Sequence, residues 1–348
     1  MGKKSAALIA DPLGQQILPR LLDSKDPPVR YKARVLVLGE SESTPELAKL
    51  RSSIAASPRS RAILHGYREA QPGGHAYRKW QGPHWTLYQL ARIGYPPGDR
   101  SLLPLLERVR SWLDGPHQFE FPSTQVIPGQ EDRVRHCASQ EGYAVWYSIR
   151  LGIDDERTRE YAARLCRWQW PDGGWNCDKR PEARCSSAVE TLPALRGLGL
   201  AARAWAISDP TLARTLRTAV DRAADWFLVR HLHFRLRDGT PIRPGWGGPF
   251  EKIAHPIVFY DVLGVLMVMA EIGRIRDPRC SETLDLLESK RLPGGGFPAE
   301  RRTAVTSRAV VTRGTFADWG PSGVRTMNEL VTVEALGVLA AAGRFRPR

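Results

Sequence analysis

The chain has 348 residues, enough for a large core and, as a first estimate, about two domains. It is 42% hydrophobic and 25% charged, with mean hydropathy −0.36, five Cys, 11 Trp and a formal net charge of +14. These values exclude a disordered chain and a disulfide framework, and no apolar run approaches the ~18 residues of a transmembrane helix. Lys3 and Lys4 precede an apolar stretch soon broken by Asp11 and Pro12, which does not read as a signal peptide, so a cytoplasmic protein is expected. The basic residues are 9 Lys and 42 Arg, scattered rather than run together. A solvated basic surface therefore competes with an anionic partner; nucleic acid is disfavoured, and peripheral membrane contact stays open.

Residues 1–70 carry amphipathic pieces (Ile17, Leu18, Leu21, Leu22; Tyr31, Val35, Leu36) and read as an N-terminal helical segment packed on, or closing, the rest. From residue 71 to 348 two kinds of helix alternate. Helices apolar all round are expected near 84–94, 141–152, 187–199, 259–273 and 329–343; one-faced helices follow near 100–113, 156–170, 212–230 and 280–291. The first kind ends in Gly94, Gly152, Gly199, Gly273 and Gly343, as left-handed helix stops would. Asp99, Asp154, Asp209 and Asp277 stand before the next helix as caps. Residues 120–130 and 236–250, rich in Pro and Gly, read as loops. Inner helices buried on all sides and outer helices buried on one imply an all-α fold of two layers, an α/α toroid of about five to six hairpins. The last inner helix has no outer partner downstream, so a helix from the N-terminal segment is expected to supply it.

The sharpest motif is Gln169-Trp170-Pro171-Asp172-Gly173-Gly174-Trp175, at the end of an amphipathic helix. Partial copies stand at Gly294-Gly295-Gly296-Phe297 and at Gln71-Pro72-Gly73-Gly74. This resembles the QW repeat of the terpenoid cyclase and protein prenyltransferase superfamily, in which Gln169, Gly173 and Trp175 would have architectural roles. Over residues 84–343 the chain resembles bacterial prenyltransferase or squalene-oxidase repeat proteins. The resemblance implies a single toroid that binds an isoprenoid or similar lipid-like ligand in a central cavity. Squalene–hopene-type cyclases protonate with an Asp-x-Asp-Asp motif, and the nearest pair here, Asp154-Asp155, sits in a turn where capping is the better reading. Protonation-type cyclisation is therefore disfavoured.

Protein prenyltransferases hold zinc on Asp, Cys and His at the rim, so the resemblance points to zinc as the cofactor. Cys185 falls where the family's Cys falls. The family's Asp is replaced by Ala183 and its Tyr-His-Thr ligand motif is missing, which leaves His255 as the nearest His. The toroid topology alone brings residues that precede inner helices to one rim, so Cys137, Cys177, Cys185 and His255 form a candidate metal set, with small buried thiols as the competing reading. Lys179, Arg180 and Arg184 lie near helix N-termini and are candidates for a diphosphate. Trp85, Tyr88, Tyr143, Trp146, Tyr147, Phe259 and Tyr260 are candidate cavity aromatics, against plain core packing. Cys166 and Cys280 read as structural. The rival readings are a non-catalytic toroid scaffold and a basic helical repeat on nucleic acid, and any partner subunit is open.

Overall fold

The computed structural model describes residues 12–69, 74–116, 126–178, 180, 182–242, 248–257 and 260–347. Thirteen α-helices lie among them, with three two-stranded β pairs, so the chain is all-α. No helix of the described residues is long and apolar enough to cross a membrane.

Helix starts follow from proline placement. α1 (Pro12–Leu22), α2 (Pro27–Lys32), α3 (Pro45–Ala55) and α4 (Pro58–Glu69) all begin on Pro, whose missing N–H is no loss in the first turn. α2 runs on as a π turn, Ala33–Val37. Four hairpins follow, each an inner helix and then an outer one: α5 (Pro83–Arg92) and α6 (Leu103–Leu113), α7 (Ala138–Arg150) and α8 (Glu156–Arg167), α9 (Ala188–Ala204) and α10 (Pro210–Leu228), α11 (Val262–Glu271) and α12 (Ser281–Glu288). α13 (Glu329–Ala341) ends the series. All ten residues of α5 are buried, whereas α8 buries only Thr158, Tyr161, Ala162, Arg164 and Leu165. Inner helices pack on one another in chain order, and α6, α8, α10 and α12 each pack on the inner helix of their hairpin. Arg92 of α5 meets Glu334 of α13 at 2.7 Å, which joins the first and last inner helices. The closest inner approach is between α7 and α9: a Cβ on Gly142 would lie 2.5 Å from the backbone of Pro193 and Ala194.

Four glycine stops hold, with φ of 81° at Gly94, 60° at Gly152, 74° at Gly273 and 76° at Gly343. Gly199 is different. α9 runs through it to Ala204, and its lack of a Cβ makes room for Ile272, whose Cγ2 would lie 2.6 Å from an added methyl. Asp99, Asp209 and Asp277 cap as expected. Asp155, not Asp154, caps α8 through a capping box with Thr158, while Asp154 accepts the Trp205 indole N–H at 3.0 Å. The expected loop near 120–130 holds a strand in its described part: β1 (Val126–Ile127) pairs antiparallel with β2 (Gln130–Val134). β3 (Ala254–His255) pairs with β4 (Arg301–Arg302), and β5 (Val305–Thr306) with β6 (Gly314–Thr315), both parallel.

The QW turn has a near-copy in space. Trp170 N–H donates to Gly174 O at 2.8 Å and Gly173 N–H to Trp170 O at 2.9 Å; Leu292 N–H donates to Gly296 O and Gly295 N–H to Leu292 O, both at 2.8 Å. Gly173 (φ 100°) and Gly295 (φ 84°) hold the left-handed position. Gln169 Nε2 donates to Gly173 O at 2.8 Å, and Arg291 Nη1 to Gly295 O at 3.3 Å. After each turn the next aromatic donates its backbone N–H into an inner helix: Trp175 to Thr191 Oγ1 at 3.2 Å, Phe297 to Thr332 Oγ1 at 2.8 Å. The Gln71–Gly73 part of the third copy lies outside the described residues.

The match extends to what each turn packs on. Gly173 lies against the Arg222 carbonyl of α10, and Gly295 against the Leu13 carbonyl of α1. α1 therefore stands to the turn before α13 as outer helix α10 stands to the turn before α9. α2 and its π turn also pack on α13.

Replacing Gly173 with Ala puts a Cβ 2.5 Å from the Arg222 carbonyl at a φ that L residues avoid, and should cost about 2–4 kcal/mol. Gly294→Ala, with open space around it, should stay within about 0.5 kcal/mol. Chemical unfolding of both variants measures the contrast.

Candidate functional site

The loop after the QW turn is held from several sides. The Trp175 indole N–H donates to Leu165 O at 2.9 Å, and Ser187 N–H donates to Trp175 O at 2.8 Å. His136 N–H donates to Asn176 O at 3.0 Å, which ties the segment before α7 to this loop. Cys137 is the N-cap residue of α7 and makes no capping hydrogen bond, so its thiol is free to point elsewhere. Glu190 stands in the first turn of α9. One carboxylate oxygen accepts the Ser139 N–H at 2.9 Å, and the other accepts from Cys177 Sγ at 3.4 Å. One donor atom each from Cys137, Cys177 and Glu190 lies within 4.8 Å of the others.

Burial disfavours the charged forms of Glu190 and Cys177. Burial pushes the Glu190 carboxyl up, against the pull of Ser139 N–H. The Cys177 thiol is pushed up by its hydrogen bond with Cys137, then by burial, then by Glu190. Tyr77 beside them is also pushed up, mainly by burial and then by Glu190. Two thiols and a carboxyl form a donor set that suits zinc, with three protein ligands and an open fourth position. A divalent cation would reverse the local pKa order and hold all three deprotonated.

A cavity of about 850 Å³ opens beside the group. Cys177, Glu190 and the first residues of α9 form one side. Arg180, Arg230, Arg235 and Arg237 supply positive charge, with Asp178 among them. Arg180 is paired with Asp178 at 2.6 Å, and the Arg230 guanidinium lies 4.1 Å over the Trp226 ring. Ser187, the N-cap residue of α9, makes no side-chain cap bond, so the amides of the first turn remain available to an anion. Trp226, Leu236 and Ile242 give the cavity an apolar side.

The expected residues divide. Cys137 and Cys177 come together. Cys185 is exposed and lines the cavity but stays outside the three-atom group. His255 is buried before α11; neither ring nitrogen has a hydrogen-bond partner, and burial pushes its pKa well down, with Arg92 adding to the shift. The third donor atom in the group is therefore a Glu190 carboxylate oxygen rather than a histidine nitrogen. Arg180 lines the cavity, Arg184 is exposed outside its lining, and Lys179 lies outside the described residues.

The aromatics serve packing. Trp85, Tyr88 and Tyr147 are 1%, 0% and 0% exposed, which leaves no ligand-sized void against them. Tyr88 meets Tyr143 at 5.0 Å and Trp146 at 5.7 Å between centroids. The buried Tyr260 hydroxyl donates to Leu232 O at 2.6 Å, and Phe259 lies outside the described residues. Apart from Trp146, which also lines a smaller cavity, the expected ligand wall of aromatics is thus a packed core, and the large cavity lies beside the Cys177 loop.

Glu190 and the arginines of 230–237 were not among the expected residues. Glu190 carried a signal, as a carboxylate in the first turn of a helix otherwise apolar all round; the arginines followed an outer helix into a loop and carried none. No protein-family model matches the chain, and neither does any curated protein.

Thiol chemistry should follow this geometry. Burial pushes Cys166 up to about 11 and Cys280 up to about 12, whereas Cys185 is exposed. At about pH 8, iodoacetamide should modify Cys185 at least ~10-fold faster than Cys166, Cys177 or Cys280, as read by peptide mass spectrometry.

Proposed function

We propose that this chain is a prenyltransferase-like α/α toroid that holds zinc on Cys137, Cys177 and Glu190 and binds an isoprenoid-type diphosphate in the adjoining rim cavity. The observation that carries this reading is that one cavity is walled by Cys177 and Glu190 on one side and by Arg230, Arg235 and Arg237 on another. The arginines and the first-turn amides of α9 would take the phosphate oxygens, and Arg presents a planar fork suited to them. Trp226, Leu236 and Ile242 would take the hydrocarbon next to the head group. Glu190 would orient through its bond from Ser139 N–H, which fixes one oxygen and leaves the other toward Cys177. Zinc at such a site lowers the pKa of a bound thiol or water. The reading also requires a reducing compartment, since the Cys137 and Cys177 thiols must stay reduced to bind metal. A scaffold without chemistry is the second reading, favoured by the aromatic packing of Trp85, Tyr88, Tyr143 and Trp146.

Elemental analysis and titration with a fluorescent prenyl diphosphate separate the two. The proposal expects one zinc per chain, lost in Cys177→Ser and weakened at least ~10-fold in Glu190→Gln. Arg230→Gln should weaken the diphosphate ligand about tenfold and leave zinc in place. Equal affinity for the prenyl alcohol and the diphosphate, or zinc unchanged in a Cys137→Ser/Cys177→Ser variant, overturns it in favour of the scaffold.

A further inference from the structure

The far ends of the inner helices enclose a second, smaller cavity of about 220 Å³, where the last turns of α5, α7, α9 and α11 meet the segment from Tyr31 to Leu36. Its wall carries Lys32, Arg92, Arg150, Arg196 and Arg203. Most of these cations have a carboxylate or carbonyl of their own. Arg196 binds Glu271 through Nε and Nη2 at 2.7 and 2.6 Å, and Arg203 donates to the Glu271 carbonyl at 2.6 Å. Arg150 reaches Glu42 at 2.9 Å, and Glu42 also holds Arg51.

Lys32 and Arg92 are the exception. Both bind the single carboxylate of buried Glu334, Arg92 at 2.7 Å. The five wall cations, together with Arg51, share three carboxylates, Glu42, Glu271 and Glu334, so cations outnumber carboxylates around the chamber. The Arg92 side chain is 3% exposed, and its Nη1 is buried with no hydrogen-bond partner. A buried guanidinium N–H without an acceptor is costly, and an anion that moved within its reach would remove that cost. The negative ends of the helices soften the field here, yet they give Arg92 Nη1 no acceptor. Burial is the main cause that brings Lys32 down to about 8; Glu334 opposes it, and Arg92 and Arg196 add to the lowering.

We propose that this chamber binds a small phosphate dianion, either free phosphate or a phosphate monoester, with Arg92, Lys32 and Arg203 as donors. A dianion suits a wall where cations outnumber carboxylates, and arginine forks match its oxygens. Leu36 and Arg203, both exposed, mark the mouth. The site is independent of the Cys177 cavity and of its proposed ligand.

Isothermal titration with inorganic phosphate and with phenyl phosphate, against chloride at equal ionic strength, tests the assignment. Phosphate should bind with a Kd below the millimolar range and raise the thermal unfolding midpoint, where chloride does not. Arg203→Gln, at an exposed position that keeps the fold, should weaken phosphate about tenfold, and Arg92→Gln should weaken it further. Arg230→Gln, in the other cavity, should leave this binding in place. Phenyl phosphate binding as tightly as phosphate identifies a monoester ligand; phosphate binding alone identifies the free ion. No phosphate effect beyond chloride, or phosphate binding unchanged in both Arg203→Gln and Arg92→Gln, overturns the proposal.

Discussion

The hydrogen bond from Trp175 N–H to Thr191 Oγ1 fixes more of this molecule than its size suggests. An inner helix that is apolar on most sides has few polar groups with which to set its height or rotation. Much of its position comes from its ends, where backbone groups still need partners. The QW turn supplies such a partner one turn into α9, and the second turn repeats this at α13 through Phe297 and Thr332. The glycine pair lets the loop approach the helix, since a Cβ on Gly174 would run into Thr191 and Ser186. Cys177 stands two residues beyond Trp175, and Glu190 one residue before Thr191. The bond that places the helix therefore also places two of the three candidate ligands.

The fold was legible where one physical cause dominated. Helices buried all round, the caps at Asp99, Asp209 and Asp277 and four of five glycine stops follow from burial period, capping chemistry and local φ preference. Gly199 misled because glycine has two uses, a left-handed stop or a close packing contact, and only the neighbour Ile272 decides between them. Asp154 and Asp155 are adjacent carboxylates, and the choice between them turned on the Trp205 indole, which reaches Asp154 from outside the hairpin. The site was half legible. Cys137 and Cys177 converge because both precede or face inner-helix N-termini. His255 has the same position in the chain pattern, yet its segment pairs with Arg301–Arg302 and places the ring against Trp319. Periodicity gives the rim to which a residue belongs but not its angle around that rim.

The excess of arginine gains a partial account. Buried or half-buried arginines pair with carboxylates between elements: Arg92 with Glu334, Arg110 with Asp155, Arg164 with Glu141 and Arg196 with Glu271. Arg164 shows the pattern, since its carboxylate also accepts from His136 at 2.8 Å and so links α8 to the segment before α7. Guanidinium suits this work because its fork satisfies a buried carboxylate at two points and stays charged when desolvated. Removing one partner of such a pair leaves a bare buried charge, so these arginines fix geometry more than they add stability.

Two groups of arginines lie toward opposite ends of the inner helices, and the helices themselves connect the two places. α9 carries Glu190 at its start and Arg196 and Arg203 toward its end, a separation of about 20 Å between the first and last of these. α7 likewise carries Cys137 at one end and Trp146 and Arg150 at the other. At Gly142 and Gly197 the two backbones touch, and neither helix can slide without driving carbonyls and Cα atoms together. A close-packed contact of this kind yields by moving the pair as a unit. The donor triad and the cationic chamber are thus built on one rigid pair of helices, and the spacing between Cys137 and Glu190 is set where α7 and α9 touch.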